Sequence, residues 1–151
     1  MESVTVALDC NLRVEVRDAA TDALIAEELL HNLVVNAGLN LIRDLLDGDA
    51  VAGLTHFAVG TGTTAVAASQ TALVTETFRA AVTSRTSSAE SLSVKYYLPS
   101  GSANGGTLAE VGLFNAASSG TMFARAKLAS TIAKTSSVTV TFTWAINLAA
   151  T

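Results

Sequence analysis

Charged and aromatic side chains are scarce in this chain of 151 residues, and proline and cysteine are almost missing. Charged residues make up 15% and aromatic residues 5% of the chain; Pro99 is its one proline and Cys10 its one cysteine. A single thiol excludes an intrachain disulfide and a zinc site built from several thiolates, and it fits synthesis in a reducing cytoplasm. The nine Lys and Arg residues leave a net charge of −4, so we expect no binding to a nucleic-acid backbone.

Long apolar runs are also missing, although half of the residues are hydrophobic. A membrane-spanning helix needs about 20 apolar residues, and charges at positions 43, 44, 47 and 49 interrupt the one helical stretch. The start of the chain, Met1-Glu-Ser-Val-Thr-Val6, lacks the basic and then apolar order of a secretory signal. We therefore expect no membrane association. The length fits one domain with a hydrophobic core, covered by a surface rich in Ser, Thr and Ala.

Alternation of apolar and polar residues predicts β-structure along most of the chain. The clearest pattern runs from Val138 to Leu148, where apolar residues alternate with Thr, Ala and Asn, as is typical of a half-buried antiparallel strand. Residues 4–17 and 24–30 predict a hairpin, because the Asp residues between them favour a turn. Further extended segments are predicted at 33–35, 54–59, 76–85, 91–98, 107–114 and 121–128.

One short helix is predicted at about residues 36–47. Asn36 is a favourable N-cap, and Gly48 is a favourable residue just after the C-terminal turn. A stripe of apolar residues at helical spacing, which we expect to face the core, is formed by Leu39, Ile42, Leu45 and Leu46. The predicted fold is therefore mainly β: a single antiparallel β-sandwich-like domain of roughly eight strands with one short α-helix.

Two sets of residues suggest ligand or metal chemistry, but each has a simpler structural interpretation. His31 and His56 are the only histidines and lack the spacing of a metal motif. Gly60-Thr-Gly62 follows a strand, yet the chain lacks the third glycine of a dinucleotide fingerprint and the Gly-Lys-Ser/Thr of a P-loop. We interpret the two glycines as residues that let the backbone turn sharply.

Other candidates are equally weak. Glu76 and Glu110 could form a carboxylate pair for glycoside cleavage, but nothing in the sequence brings them together, and we expect Glu110 to pair with Arg79 or Arg125 instead. Capping explains Asn36-Ala-Gly38 as well as anion binding at a helix N-terminus does. Alternation along a strand explains Lys95-Tyr-Tyr97 as well as a sugar platform does. We therefore predict no catalytic, cofactor-binding or metal-binding residues, no cofactor and no enzymatic activity.

Four separated segments together carry a resemblance to a known family. They are Leu33-Val-Val-Asn-Ala-Gly-Leu-Asn-Leu-Ile42, Leu54-Thr-His-Phe-Ala-Val-Gly-Thr-Gly62, Ser69-Gln-Thr-Ala-Leu-Val-Thr-Glu-Thr-Phe-Arg79 and Leu108-Ala-Glu-Val-Gly-Leu-Phe-Asn115. Their order and spacing resemble those of the N-terminal, baseplate-attachment domain of bacteriophage tail-fibre (tail-collar) proteins, over about residues 31–148. The resemblance implies a β-rich module that fixes a trimeric fibre to a baseplate.

This resemblance leads to the functional expectation. We expect a non-enzymatic virion structural protein, made in the host bacterial cytoplasm, that acts as a tail, baseplate or fibre-attachment component through protein–protein assembly. Expected partners are baseplate, tail or major capsid proteins and further copies of the chain, with a trimer favoured. Residues 1–30 form a hairpin arm added to the attachment-like domain at 31–151, and their deletion should leave a folded domain. Because no fibre shaft follows, a capsid decoration protein is an alternative, and a carbohydrate-binding module is a further one.

Overall fold

The computed structural model describes residues 5–150, without the side chain of Ala150. Val4, which the alternating pattern assigns to the first strand, and Thr151, the end of the predicted second domain, lie outside the described residues. The described part of the chain contains ten strands and one helix: β1 (Val6–Asp18), β2 (Leu24–His31), β3 (Leu33–Val34), α1 (Asn36–Asp47), β4 (His56–Gly60), β5 (Glu76–Ala81), β6 (Ser84–Ser88), β7 (Ser91–Leu98), β8 (Thr107–Phe114), β9 (Met122–Ala133) and β10 (Val138–Ala150).

The strands form two five-stranded antiparallel sheets. Sheet A has the order β2-β1-β10-β7-β6, and sheet B has the order β3-β9-β8-β4-β5. This confirms the predicted mainly β, antiparallel and sandwich-like fold with a helix at residues 36–47. The count is ten strands in place of eight, because Leu33–Val34 pairs with β9 and because the segment predicted at 76–85 divides. The division falls at Val82 and Thr83, where the chain leaves sheet B for sheet A.

Aromatic side chains from both sheets meet in the core. The ring of Phe57 on β4 stacks on Tyr96 of β7 with 4.3 Å between centroids, and it lies 4.7 Å from Phe142 and 5.6 Å from Trp144 of β10. Phe57, Phe142 and Trp144 have no exposed surface. Since truncating such a side chain to alanine costs about 3–5 kcal/mol, this contact is a main source of the attraction between the sheets.

The hairpin of β1 and β2 is bound into sheet A. β1 pairs with β10 along its whole length, from Val6 opposite Ala150 to Asp18 opposite Val138. Its core-facing residues Leu12 and Val14 are at most 1% exposed. Deletion of residues 1–30 would therefore remove core side chains and the partner of β10, so from the structure we expect the remainder to unfold, contrary to the expectation from the sequence. The division of the chain at residue 30 stays a prediction.

The ends of α1 are set by backbone geometry. Gly48 adopts a left-handed conformation (φ 90°) and its N–H bonds back to the helix, which confirms the predicted C-terminal cap. The predicted N-cap is wrong: Val35, in an extended conformation and without a side-chain cap, holds that position, and Asn36 is the first helical residue. The amide of Val35 instead bonds the carbonyl of Phe123 on β9, which fixes where the helix can start. No helix within residues 5–150 is long and apolar enough to span a membrane.

The buried face of α1 differs from the predicted stripe. Gly38 lies against β9 so closely that a Cβ atom there would overlap the carbonyl of Phe123. The helix therefore approaches the sheet along Gly38 and Leu41, the two residues that are buried. Leu39, Leu45 and Leu46, which the pattern assigned to the core, are 47%, 48% and 84% exposed.

Candidate functional site

A buried ion pair joins β8 to β9. Glu110 and Arg125 are both 0% exposed, and their side chains meet with Nε and Nη2 of Arg125 at 2.9 and 2.8 Å from Oε2 of Glu110. The β8–β9 register places Gly112 opposite Arg125 and Glu110 opposite Lys127, so the pair lies diagonally across the two strands. The structure thus selects Arg125 of the two arginines that the sequence offered as partners of Glu110.

Glu110 also holds two segments of the long connection between β4 and β5. Its Oε1 accepts hydrogen bonds from the amides of Gly62 (3.1 Å) and Thr75 (2.7 Å), and its Oε2 accepts one from Val74 (3.0 Å). Backbone amides and a guanidinium together satisfy both oxygens of this buried carboxylate, as burial of a charge requires. One side chain on β8 thereby fixes both ends of the connection.

Arg125 binds the middle of the same connection. Its Nη1 donates to Oε1 of Gln70 (3.0 Å) and its Nη2 donates to the carbonyl of Thr64 (2.9 Å). Gln70 in turn accepts from the amide of Ala67 and donates to the carbonyl of Ala65. We call Glu110, Arg125, Gln70 and the amides of Gly62, Val74 and Thr75 the Glu110 cluster. The members of this cluster form hydrogen bonds with one another.

The Gly-Thr-Gly segment is part of this cluster, and its glycines serve a purpose other than the predicted sharp turn. Neither glycine has a positive φ. A Cβ atom at Gly60 would lie 2.7 Å from Oε1 of Glu110 and would overlap the carbonyl of Thr75, and one at Gly62 would overlap the Glu110 carboxylate. The glycines are needed because backbone and carboxylate approach too closely for a side chain. The amide of Gly62, which could have faced a phosphate, is occupied by the protein's own carboxylate.

Glu76 likewise forms an ion pair with an arginine. Its two oxygens accept from Nε (2.8 Å) and Nη2 (2.7 Å) of Arg79, whose guanidinium lies 3.7 Å from the centre of the Phe114 ring. Gly60 on β4 is paired with Glu76 on β5 and with Glu110 on β8. The two glutamates therefore lie on the two strands next to β4, at the same level of the sheet. Each carboxylate is nevertheless held by its own arginine, and Glu110 has no access to solvent.

The remaining candidates lie apart. His31 is exposed at the end of β2, and His56 at the start of β4 has its Nδ1 2.9 Å from the hydroxyl of Thr55. Cys10 is buried on β1, and burial raises the pKa of its thiol to about 11, so it is a poor nucleophile. Within the described range, no three His, Cys, Asp or Glu side chains are grouped to hold a metal ion.

Lys95-Tyr-Tyr97 forms no aromatic platform. Tyr96 points into the core at 6% exposure, whereas Tyr97 is 46% exposed on the other face of β7. This agrees with alternation along a strand. Among the described residues, Tyr97 is the most exposed aromatic side chain, and Phe78 is partly exposed.

Sequence reasoning missed a second buried charge. Lys134, 1% exposed, follows β9 and donates to the carbonyls of Ser100 and Thr135 and to Oδ1 of Asn104. Burial lowers the pKa of its ammonium group. The lysine lies 30 residues along the chain from Asn104, so no local sequence pattern indicates that it binds the glycine-rich loop around that residue.

An apolar groove lies beside α1, and we call it the helix groove. It has a volume of about 740 Å³. Helix residues Leu41, Ile42, Leu45 and Leu46 form one wall, Leu8, Ile146 and Leu148 of sheet A form another, and the β6–β7 hairpin contributes Arg85 and Glu90. It contains no set of groups that could activate a nucleophile or bind a metal, and its chemistry is that of a docking surface.

The edge of the sandwich at β2 carries a charge directed inward. Glu28 is opposite the core residue Val14, and its Oε2 accepts from the amide of Ser130 on β9 (3.3 Å), while its Oε1 is buried without a partner. Inward-directed charges discourage the addition of a further strand at an edge. The β2 edge therefore suits strand addition poorly, despite the exposed side chains of Leu24, Ile25 and Leu29.

No protein-family model, curated protein or solved structure matches this chain. The resemblance to tail-fibre attachment domains therefore rests on its four sequence segments. Three of them supply every member of the Glu110 cluster except Arg125: Gly62 comes from the second, Gln70, Val74 and Thr75 from the third, and Glu110 from the fourth. The first supplies Gly38, where α1 contacts β9.

Proposed function

We propose that this chain is a non-enzymatic structural protein of a bacteriophage particle, a tail, baseplate or fibre-attachment component that acts through protein–protein assembly. The observation that carries the proposal is where the contacts lie: residues of the resembling segments bind one another inside the domain, and exposed large apolar side chains lie on α1 and also on β2. A domain of this kind offers surfaces and no reaction centre.

The internal contacts support an architectural role for the motif segments. Glu110 and Arg125 satisfy each other and the backbone of the 61–75 connection, so neither is free to bind or protonate a substrate. General acid–base catalysis needs a group within hydrogen-bond reach of a substrate, and both side chains have no exposed surface. The cluster fixes a long connection rigidly, as an assembly module requires.

The surface supports association with other proteins. Clustered exposed apolar side chains mark interaction sites, and Leu39, Leu45 and Leu46 are all exposed on α1. The structure gives little support to the carbohydrate-binding alternative, because sugar sites use platforms of exposed aromatic side chains and Tyr97 has no second exposed aromatic residue beside it on β7. We propose other virion proteins and further copies of the chain as partners, with the trimer implied by the resemblance, and the virion as the location after synthesis in the host cytoplasm.

Quantitative mass spectrometry of purified particles tests this proposal. Particles produced by the phage that carries this gene are purified by density gradient and washed in high salt, and peptides of this chain are counted against those of the major capsid protein. An abundant soluble host protein serves as the control for contamination. A tail or baseplate component is expected in the small numbers of a ring. Hundreds of copies would favour the capsid decoration alternative, and absence from particles would contradict a virion role.

A further inference from the structure

Lys134, which follows β9, is a buried amine without a carboxylate partner. Its side chain is 1% exposed, and none of the ion pairs within residues 5–150 includes it. Its Nζ donates instead to three neutral oxygens, of which Oδ1 of Asn104 is the nearest at 2.8 Å. A buried ammonium group without a counter-ion is costly, and burial lowers the pKa of this one. A larger share of the amine than in an exposed lysine is therefore neutral and able to act as a nucleophile.

The side-chain amide of Asn104 is held against this amine. Its Nδ2 donates to the carbonyl of Ser100 (2.8 Å), which also accepts from Nζ of Lys134 (3.3 Å), so one oxygen positions both nitrogens. Because a C=O bond is about 1.23 Å long, Nζ lies within about 4.0 Å of Cγ of Asn104. Reacting atoms in a near-attack geometry are about 3–3.5 Å apart, so a shift of about 1 Å or less brings Nζ to this distance.

We propose that Lys134 and Asn104 form an isopeptide bond within the folded chain. The ammonium group first gives one proton to water, and the neutral Nζ then forms a bond with Cγ of Asn104. The bond between Cγ and Nδ2 breaks, and Nδ2 leaves as ammonia with a second proton from Nζ. The reaction consumes no oxidant, reductant or other reactant. Asn104 is exposed, so the ammonia can leave to solvent.

Proximity and the burial of the amine both favour this reaction. Two groups held in reacting geometry behave as if one were present at about 10⁵–10⁸ M. The product is an uncharged amide, so the cost of a buried ammonium group disappears and the charge passes to an ammonium ion in water. The one hydrogen left on Nζ can be donated to the carbonyl of Ser100 or of Thr135, which both accept from Nζ already. The bond fixes the glycine-rich loop to the end of β9, and it does not depend on the proposed virion role.

A competing reaction at Asn104 starts from the backbone. The amide nitrogen of Gly105 could attack the same Cγ and form a succinimide, which also releases ammonia. The hydrogen of that nitrogen is donated to the carbonyl of Lys134 (3.0 Å). The side chain of Asn104 is meanwhile held by Ser100 and by Nζ of Lys134. The fold therefore favours attack by the lysine, and the experiment must separate the two reactions.

Mass spectrometry of the purified full-length chain tests the bond. After incubation at neutral pH, the intact wild type should be lighter than its sequence by one ammonia. Trypsin does not cut after an acylated lysine, so the digest should contain residues 96–125 joined to residues 128–151 through Asn104 and Lys134. Lys134→Arg, whose guanidinium stays protonated, and Asn104→Ala, which removes the electrophile, should keep their full masses. Lys127→Arg, at an exposed lysine of β9, is the matched control and should still lose ammonia.

Two results would overturn the proposed bond. One is a wild type that keeps its full mass on prolonged incubation. The other is a loss of ammonia that persists in Lys134→Arg, or a wild-type digest in which residues 96–125 are recovered as a linear peptide, because both assign the loss to the succinimide. The wild-type digest decides the question even if a variant fails to fold. Neither result bears on the virion role, which the composition of purified particles tests.

Discussion

Replacing Glu110 by glutamine removes one charge from the interior and keeps the size of the side chain. Arg125 then stays charged at 0% exposure without its counter-ion, and breaking a buried pair in this way costs about 3–5 kcal/mol. The new NH₂ group also faces N–H donors wherever it points, because both oxygens of Glu110 accept from the backbone or from Arg125. A whole domain is typically stable by about 5–15 kcal/mol, so the loss amounts to about a fifth of its stability or more.

Urea unfolding followed by the fluorescence of Trp144 measures this loss, since that residue has no exposed surface in the folded state. We expect the free energy of unfolding of Glu110→Gln to fall by about 3–5 kcal/mol, and its Tm to fall by roughly 6–20 °C at 2–4 °C per kcal/mol. Amide hydrogen exchange should accelerate across residues 61–75, because Gly62, Val74 and Thr75 lose their acceptor.

Glu76→Gln is the control for this prediction. It removes the same charge from a pair in which Glu76 is 31% exposed, and exposed pairs contribute about 1 kcal/mol or less. If Glu110→Gln were within about 1 kcal/mol of the wild type, or no worse than Glu76→Gln, the argument that the Glu110 cluster holds the 61–75 connection would be refuted.

Three further changes follow from the same contacts. Gly62→Ala should destabilise the domain by about 2 kcal/mol or more, because a methyl group there overlaps the Glu110 carboxylate, whereas Gly101→Ala, where a Cβ meets open space, should be neutral in the same unfolding assay. Deletion of residues 1–30 should abolish the cooperative unfolding transition, and a folded remainder would contradict the placement of β1 in the core. The thiol of Cys10 has a pKa of about 11 in the folded protein against an ordinary value of 9.0, so its contribution to stability is complete below pH 9 and is lost as the pH rises to 11. Over this range the wild type should lose about 2–3 kcal/mol more of its free energy of unfolding than Cys10→Ala does. Equal losses in the two proteins would disprove the shift in the pKa.

The strands were predictable where one face is buried and the other is not. β10 is the example: Val140, Phe142 and Trp144 are fully buried while Thr141 and Thr143 between them are partly exposed, so the period of two in the sequence reports the environment directly. β7, in which buried and exposed residues also alternate at its end, begins and ends at the predicted residues for the same reason. β8 begins and ends at the predicted residues as well, although it is buried on both faces from Leu108 to Phe114. The split between β5 and β6 was missed because the change of sheet at Val82 has no glycine or proline to mark it.

The orientation of α1 could not be read from its own residues. The five large apolar residues of the helix occupy an arc of nearly half its circumference. The part of this arc that faces the sheet is decided by Gly38, whose lack of a side chain lets β9 approach. Leu39 and Leu46 are apolar residues on the outside, and this is why the helix became a candidate docking surface.

The Glu110 cluster was predictable in part. Arg125 was one of two possible partners, but the choice depends on the β8–β9 register, which a bulge after Leu108 shifts. Gln70 and the amides of Val74 and Thr75 could not be assigned, because their place follows from the path of a connection without regular structure. The role of Gly60 and Gly62 was missed for a related reason: close approach by a carboxylate 48 residues away from Gly62 leaves no local signal.

A map of the intact particle by electron cryo-microscopy tests the central claim most directly, which is that this domain works as an assembled structural component. The account predicts density for the two-sheet domain at the tail or baseplate, in contact with neighbouring virion proteins and with the Glu110 cluster enclosed within each domain. A particle that lacks this density while the protein stays free in the lysate would contradict the account.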